Sequence, residues 1–511
     1  MPEYLSPGVY MEEVNTGPRP IEGVGTAMAA FVGFAPAGPV NKPELITNWS
    51  QYVETFGLAK NGNGRKDPHM PKAYLSHAVY GYFLNGGGRC YVTRVGPKTP
   101  TLQLPSRASK SNPVTLQAKS GEPGNIDVEV APPTGDAAPE GTFTLKVRQG
   151  AVEEKYENVT LGRAKGGVRN VVEELKRSNL VLVLETQPGT LPDTGKYVLT
   201  ATDSASLPQV QSSALKGDSA ARTGIEGLEI AEDATMVCCP DLMSAYENNM
   251  IDLDGIRTIQ TAMMDHCAKL GDRMAILDTP PPLDGKPHLS PGDIQKWRAA
   301  TNYDSRFAAV YYPWIAVAGP DGNLLVPPSG HVAGIYARND KERGVHKAPA
   351  NEVVRGAVGV ATTITKGEQD VLNPIGVNCI RSLAGNMGIR VWGARTLSSD
   401  PAWRYVNVRR LFNFVEKSIE RGTQWVVFEP NDPDLWARVR RDVSAFLTTV
   451  WRSGALFGLT ADQAFYVKCD EELNPPEERD LGRLHIEIGL APVKPAEFVI
   501  FRLSQFAGGG A

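Results

Sequence analysis

Apolar and polar residues alternate near the end of the chain. Every second residue between Leu484 and Leu490 is apolar, which is the pattern of a β-strand with one buried face. The apolar residues of this face are Leu484, Ile486, Ile488 and Leu490. We expect them to form part of a small sheet inside the last region of the chain, residues 481–511.

A second strand follows after a short break at residues 491–495. Residues 497–503 read Glu-Phe-Val-Ile-Phe-Arg-Leu and are apolar on both faces for most of their length. A strand of this kind needs cover on both sides. We therefore predict an arm that pairs outside its own domain, with another copy of the chain as the partner. Its strand residues are Phe498, Val499, Ile500, Phe501 and Leu503.

The first 20 residues have the pattern of a second arm. A short apolar stretch follows Ser6-Pro7 and stops at a turn-forming run, residues 15–18. It has too little apolar surface to fold alone. The candidate strand residues are Val9, Tyr10, Met11, Glu12 and Val14. We expect the segments 15–20 and 491–495 to act as pivots beside the two arms.

Between the arms, the apolar pattern predicts an α/β core interrupted by a different domain. Strand and helix patterns alternate in 21–100 and again in 226–480, which is typical of an α/β fold. The stretch 101–225 holds no Trp, Cys or His and three aromatic residues, so we expect a small β-rich insertion. The predicted fold class is a multidomain α/β (α+β) protein with a discontinuous core, this insertion and extended terminal strands.

The strongest predicted helix spans 433–451. Asp432 can cap it and Pro433 suits its first turn. A second helix is predicted at 406–420 and a strand at 424–428. The helix at 433–451 also carries Arg438, Arg440 and Arg441. One interpretation is a solvated helix face, and the other is an electrostatic contact with an acidic partner.

Composition excludes several classes of function. The 511 residues carry a net charge of −4, so no overall basic character points to nucleic acid. No apolar run is long enough to span a membrane, and the first residues lack a secretory signal. Six scattered cysteines fit reduced thiols in a cytosolic protein better than a disulfide framework. We expect assembly in the cytoplasm.

A search for catalytic motifs finds none. The chain contains neither a phosphate-binding loop nor a dinucleotide fingerprint, and it lacks the motifs of zinc proteases and serine hydrolases. Cys238 and Cys239 are adjacent, which does not suit a metal or redox pair. The seven histidines show no ligand spacing. We predict no catalytic, cofactor or metal site, and no enzyme activity.

Several segments resemble the sheath proteins of contractile phage tails and of related injection systems. The first two read SPGVYMEEV from Ser6 and FVGFAPAGP from Phe31. The later ones read GNMGIRVWGARTL from Gly385, YVNVRRL from Tyr405 and PAEFVIF from Pro495. The segment 101–225 matches no common pattern, as in the family, whose members carry different insertions at this point.

The resemblance implies a structural role. Family members stack as rings into a helical tube around an inner tube, and terminal arms add strands to a small sheet of neighbouring subunits. By this resemblance, the strand with Leu484, Ile486, Ile488 and Leu490 belongs to the sheet that receives the arms. Arg438, Arg440 and Arg441 are expected to contact the inner tube. The implied partners are further copies of the chain, the inner-tube protein, and baseplate and terminator or cap proteins. Neither nucleic acid nor direct membrane insertion is implied. By this resemblance, contraction drives the inner tube through a target envelope.

Two alternatives remain open at this point. An α/β core can host an enzyme with an unrecognised site, and the β-rich insertion can belong to a soluble binding module. An enzyme or binding module should form a small closed oligomer in solution. A sheath should form open polymers.

Overall fold

The computed structural model describes residues 21–59, 66–96, 101–106, 113–118, 125–135, 139–162, 168–186, 190–199, 207–282, 288–319, 322–385 and 387–502. These residues form two compact units. The core unit comprises Thr26–Arg343 and Lys347–Arg410. The C-terminal unit comprises, among the described residues, 21–25, Gly344–His346 and 411–502. The predicted N-terminal strand and Leu503 lie outside the described residues.

The core unit begins with the predicted alternation of strands and helices. The strands are β1 (Ala29–Gly33), β2 (Glu44–Ile46), β3 (Leu58–Ala59), β4 (Lys66–Asp67) and β5 (Cys90–Arg94), and the helices are α1 (Trp49–Phe56) and α2 (Leu75–Leu84). Helix α2 begins after a turn at Lys72, whose φ is 65°. Tyr80 on this helix is 46% exposed.

The region 101–199 builds sheets of its own. Its elements are β6 (Thr101–Leu104), β7 (Val114–Ala118), β8 (Ile126–Ala131), β9 (Phe143–Gln149), β10 (Val152–Thr160), β11 (Arg169–Asn170), α3 (Val171–Leu175), β12 (Val181–Thr186) and β13 (Gly195–Leu199). The strands form a five-stranded and a three-stranded sheet, with a separate hydrophobic cluster between Leu104 and Leu199. Val210, Leu215 and Ile225 instead belong to the main core. The limits 101–225 remain a prediction.

The core resumes after this region with more strands and helices. The helices are α4 (Ser212–Lys216), α5 (Asp241–Glu247), α6 (Leu253–Leu270), α7 (Pro291–Thr301), α8 (Ser329–Arg343), α9 (Lys366–Leu372) and α10 (Val406–Gly422). The strands are β14 (Met236–Cys238), β15 (Met274–Asp278), β16 (Ala308–Tyr312), β17 (Ile315–Gly319), β18 (Gly322–Val326), β19 (Glu352–Val353), β20 (Ala357–Val360), β21 (Val377–Leu383) and β22 (Gly388–Val391).

Nine strands form the central sheet, in the order β19-β22-β21-β16-β15-β14-β1-β5-β2. Strand β1 lies between β5 and β14 and is parallel to both. All five of its residues are buried, as a parallel strand covered on two faces requires. The chain therefore runs from β1 to β5 on one side and later returns to β14 on the other.

The C-terminal unit contains α11 (Pro433–Arg452), α12 (Ala461–Ala464), β23 (Phe465–Lys468), α13 (Pro476–Asp480) and β24 (Glu487–Leu490). Helix α10 begins in the core unit and ends in this one. As predicted, Asp432 caps α11 by accepting a hydrogen bond from the Leu435 amide at 2.8 Å. Val439 and Val443 of its apolar stripe are fully buried.

One predicted strand of this unit is wrong. Residues 424–428 form a short 3-10 turn at Gln424–Val426 followed by an exposed loop. The apolar residues of this segment are not all buried, because Val427 and Phe428 face solvent. Residues 497–502 have no regular secondary structure in the single chain. The predicted arm strand at 498–503 pairs with another copy, so it stays a prediction.

Candidate assembly surfaces

Strand β24 pairs with β23 in an antiparallel two-stranded sheet. The register joins Phe465 to Leu490 and Lys468 to Glu487. Just past β24, the amide of Ala491 donates to the carbonyl of Ala464 at 2.9 Å. In an antiparallel ladder, alternate residues point their main-chain polar groups to the same side. The groups of residues 487, 489 and 491 therefore point toward β23.

A buried asparagine extends this ladder beyond the end of β23. The amide of His485 donates to Asn474 Oδ1 at 2.6 Å, and Asn474 Nδ2 donates to the His485 carbonyl at 3.0 Å. Asn474 is fully buried. Its side chain thus takes the place that a strand residue would hold opposite His485. The sequence analysis did not identify this residue.

The other edge of the same stretch is open. By the alternation of the ladder, Ile486, Ile488 and Leu490 point their N–H and C=O groups away from β23. Among the described residues, no main-chain hydrogen bond engages these groups. An unpaired strand edge is a template for pairing with another chain. The side chains of Leu484, Ile486, Ile488 and Leu490 pack against the hydrophobic cluster of this unit, on one face as the sequence pattern indicates.

The end of the described chain exposes an apolar segment. Phe498, Val499, Ile500 and Phe501 are each between 70% and 84% exposed. The residues before it are bound to their own unit, because Val493 donates to the carbonyl of Ala455 and Leu456 bridges Pro492. Within the predicted pivot at 491–495, the residues up to Val493 are therefore bound to their own unit through the main chain. The pivot has to begin after Val493.

The three arginines of α11 do not share one surface. Arg440 is half-buried and its guanidinium donates to the carbonyl of Cys469. Arg438 and Arg441 are exposed and lie three positions apart. The helix period puts only such a pair on one face, so the predicted basic group is reduced to two residues.

Arg438 lies beside a loop that the sequence analysis read as a strand. Its guanidinium carbon is 5.5 Å from the ring centre of Trp425, and its Nη2 is 3.6 Å from Glu429 Oε2. Arg441 Nε is 3.1 Å from Asp442 Oδ1. The next residue before Glu429 is Phe428, whose φ is 68°. The nearby Pro430 and the helix cap at Asp432 are the sequence signals that favour a loop here.

The buried carboxylates of the core unit serve its own backbone. Asp241 follows β14 and accepts hydrogen bonds from the amides of Phe34, Tyr74 and Leu75. Asp278 ends β15 and accepts from the amide and hydroxyl of Ser329 at 2.9 and 2.6 Å. Burial raises the pKa of each carboxyl to about 7, against the lowering effect of these donors.

No cluster of histidine, cysteine, aspartate and glutamate among the described residues could hold a metal ion. The six cysteines are buried as free thiols, and burial raises the pKa of Cys90 and Cys239 far above the ordinary range. Within the described parts of the chain, no helix is long and apolar enough to cross a bilayer.

The buried charges of the α/β core are used internally, and the C-terminal unit carries an open strand edge that could pair with another chain. Comparisons with known proteins identify the family. Residues 245–397 match the model of the phage tail sheath protein central domain, and residues 398–506 match the model of the phage tail sheath C-terminal domain. Together they cover just over half of the chain. The chain belongs to the phage tail sheath family and is a contractile tail sheath subunit.

Individual relatives agree with this assignment. The chain is 26% identical over 314 residues to a prophage major tail sheath protein of Pseudomonas aeruginosa strain UCBPP-PA14, covering 60% of this chain and 76% of the relative. It is 24% identical over 514 residues to the tail sheath protein of Burkholderia phage BcepMu, covering 96% and 94%. The fold is similar to the contracted helical sheath of the anti-feeding prophage, with a TM-score of 0.57, 24% identity, and 98% and 100% coverage.

Proposed function

We propose that the subunits of this sheath join through their terminal segments. The arms add strands to the small sheet of neighbouring subunits, and the C-terminal arm pairs with the open edge formed by Ile486, Ile488 and Leu490. The observation that carries the proposal is this unpaired edge in a chain that also exposes Phe498–Phe501. Main-chain hydrogen bonds supply the affinity in strand addition, and alternate side chains supply the register.

The energy of one such connection is modest. A net hydrogen bond contributes about 1 kcal/mol, and the open edge offers main-chain groups of three residues. A helical lattice repeats the connection at every subunit, so weak joints add up to a continuous tube. Segments beyond Val493, and residues 15–20 at the other end, are free to pivot in this proposal while the added strands stay paired.

The assembled sheath surrounds an inner tube, and its contraction drives that tube through a target envelope. In this proposal Arg438 and Arg441 contact an acidic surface of the tube in the extended state. Exposed ion pairs are weakened by salt, which suits a contact that must release. Baseplate and terminator or cap proteins bind the two ends, and the particle assembles in the cytoplasm. The subunit itself has no catalytic activity.

The energy for contraction is stored in the extended lattice in this account. The support is that no nucleotide-binding motif occurs in the sequence, so hydrolysis by this chain is not expected. Extended particles triggered without nucleotide should contract completely and should not re-extend, because contraction lowers the free energy, and calorimetry should record the accompanying heat. Contraction that proceeds only when nucleotide is added would contradict this part of the proposal.

Electron microscopy of the purified chain tests the arms. The full chain should form hollow striated cylinders. Versions lacking residues 1–20 or residues 498–511 should remain small particles with an unchanged melting temperature. Cylinders of normal length from both truncated versions would contradict the proposal. Charge reversal of Arg438 and Arg441 should impair co-assembly with the tube and leave tube-free cylinders intact.

A further inference from the structure

The solvent face of the two-stranded sheet carries an aromatic ring that lies over a glycine. Tyr466 of β23 pairs with Gly489 of β24, and its side chain is 53% exposed. Its hydroxyl donates to Glu487 Oε1 at 2.6 Å, so the ring extends from its own strand across β24. A Cβ added at Gly489 would collide with this ring. Tyr466 therefore covers the part of β24 where a side chain would normally stand.

The backbone does not account for the glycine at this position. Gly489 lies in a regular strand and is not one of the described glycines with a positive φ. Glycine inside a strand weakens it and often marks the close approach of another group. Here that group is the ring of Tyr466, because an aromatic side chain that covers a glycine offsets part of its cost. The ring thus lies beside the open edge of β24.

The C-terminal arm needs apolar cover on this same face. A strand added beside β24 alternates its side chains between the hydrophobic cluster and the solvent face. One register points Phe498 and Ile500 to the solvent face, and the other points Val499 and Phe501 there. Either pair is apolar, so the arm leaves an apolar surface in water unless the solvent face supplies cover.

The ring of Tyr466 supplies that cover. The residues that β23 and β24 place on the solvent face are Tyr466, Lys468, Glu487 and Gly489. Two of them are charged and the glycine has no side chain, so Tyr466 is the apolar group among them. Adjacent strands lie about 4.8 Å apart, and β23 is two strand positions from the arm. The ring spans this distance because Gly489 leaves its path open.

We infer that Tyr466 packs against the outward side chains of a neighbour's C-terminal arm and thereby selects an arm that is apolar on both faces. This inference rests on the proposed pairing of that arm with the open edge, and it adds the residue that recognises the arm. The occupant is a second copy of the chain, because Phe498–Phe501 is exposed and apolar on both faces. Aromatic and aliphatic side chains that meet across strands stabilise a sheet. A strand with polar outward residues gains nothing from the ring.

The test measures the critical concentration at which the full chain polymerises, using sedimentation. Tyr466→Ala removes the ring and should raise this concentration about tenfold. Tyr466→Phe keeps the ring and loses only the hydroxyl contact with Glu487, so it should polymerise nearly as well as the wild type. Lys468→Ala is the matched control, because it shortens a side chain on the same face of the same strand. It should leave the critical concentration unchanged.

Gly489→Ala separates the position of the ring from its presence. The added Cβ displaces the ring of Tyr466 from β24, while alanine does not weaken a strand relative to glycine. Gly489→Ala alone should therefore raise the critical concentration. In the Tyr466→Ala background there is no ring to displace, so Gly489→Ala should have little further effect. Such non-additivity identifies two residues that act through one contact.

Three results would overturn the inference. They are normal polymerisation of Tyr466→Ala, an equal loss in Lys468→Ala, and additive effects of Tyr466→Ala and Gly489→Ala. Ile488→Pro removes an N–H of the open edge and tests the proposed joint separately. If Ile488→Pro abolishes polymers and Tyr466→Ala forms them normally, the edge joins the subunits without the ring. If Ile488→Pro still polymerises, the proposed joint fails and this inference fails with it.

Discussion

The core unit and the small sheet of the C-terminal unit differ in how their polar groups are paired. In the core unit, buried charged side chains bind partners within the unit. Arg410 and Asp340 form two parallel contacts at 2.7 and 2.5 Å, and both side chains are 4% exposed. In the C-terminal unit, strand β24 leaves one edge unpaired. The internally satisfied charges and the open strand edge therefore lie in different units of one sheath subunit.

This comparison predicts opposite responses to substitution. Substitutions inside the core should lower the stability of the subunit. They should affect assembly only through this loss of stability. Changes at the open edge should abolish assembly and scarcely alter stability. The predictions below run from the largest expected effect on the free energy of unfolding to the smallest.

Asp340→Ala should be the most destabilising change. It leaves the guanidinium of Arg410 buried without its carboxylate, and loss of one partner of a buried ion pair costs about 3–5 kcal/mol. The melting temperature of the subunit should fall clearly in thermal unfolding followed by circular dichroism. Asp400→Ala provides an exposed control. An equal response of the two variants would mean that the Arg410–Asp340 pair does not stabilise the core.

Acid should destabilise the core through His331. Burial lowers the pKa of His331 to about 4 from an ordinary 6.5, and that of His77, beside His69, to about 4 as well. A group whose pKa is lower in the folded protein stabilises it above pH 6.5. That contribution is lost as the pH falls from 6.5 toward 4, by about 1.4 kcal/mol for each step of one in pH.

The measurement compares the wild type with His331→Gln, so that all other titrating groups cancel. The stability advantage of the wild type should shrink steadily between pH 6.5 and 4. An advantage that stays constant over this interval would show that His331 is not held neutral by burial.

Asn474→Ala should have an intermediate effect on stability. It removes both hydrogen bonds to His485 and leaves the main-chain groups of His485 without their partner, at a cost of about 1–3 kcal/mol. It should also loosen the start of the receiving strand, so polymers should form more slowly. Asn431→Ala, at a half-buried site whose side chain donates to the main-chain carbonyl of Arg483, is the control. Normal polymerisation of Asn474→Ala would argue against its role in positioning the edge.

Ile488→Pro should have the smallest effect on the fold and a large one on assembly. Proline removes an N–H that points away from β23, and an edge strand tolerates it. The melting temperature should fall no further than in Ile488→Ala, which loses the same packing against the hydrophobic cluster but keeps the N–H, while sedimentation should show only small particles. Ile488→Val keeps the N–H and should polymerise normally. Cylinders formed by Ile488→Pro would place the joint elsewhere.

The sequence predicted elements whose signal is local. Asp432, Pro433 and the apolar stripe through Val439 and Val443 define α11 without help from the rest of the chain. The alternation from Leu484 to Leu490 predicted the correct buried face. The same kind of signal failed at Val427 and Phe428, because a run of exposed apolar residues has the same sequence pattern as apolar residues buried in a sheet.

The features of the assembly surfaces depend on residues far apart in the chain. The open edge follows from the hydrogen-bond phase between β23 and β24, which are separated by about 20 residues. The side chain of Asn474 takes the place of a strand residue opposite His485. Neither the residue type nor its position in the sequence indicates this role. Arg440 is close to Arg438 and Arg441 in the sequence. Its position on the helix nevertheless directs its side chain to the carbonyl of Cys469.

Hydrogen exchange at the open edge tests the central claim most directly. The amides of Ile486, Ile488 and Leu490 should exchange rapidly in the isolated subunit and become protected in the assembled sheath, together with those of Phe498–Phe501. The amide of Gly489, which points toward β23, should be protected in both states. If Ile486, Ile488 and Leu490 exchange equally fast before and after assembly, the subunits do not join through this edge.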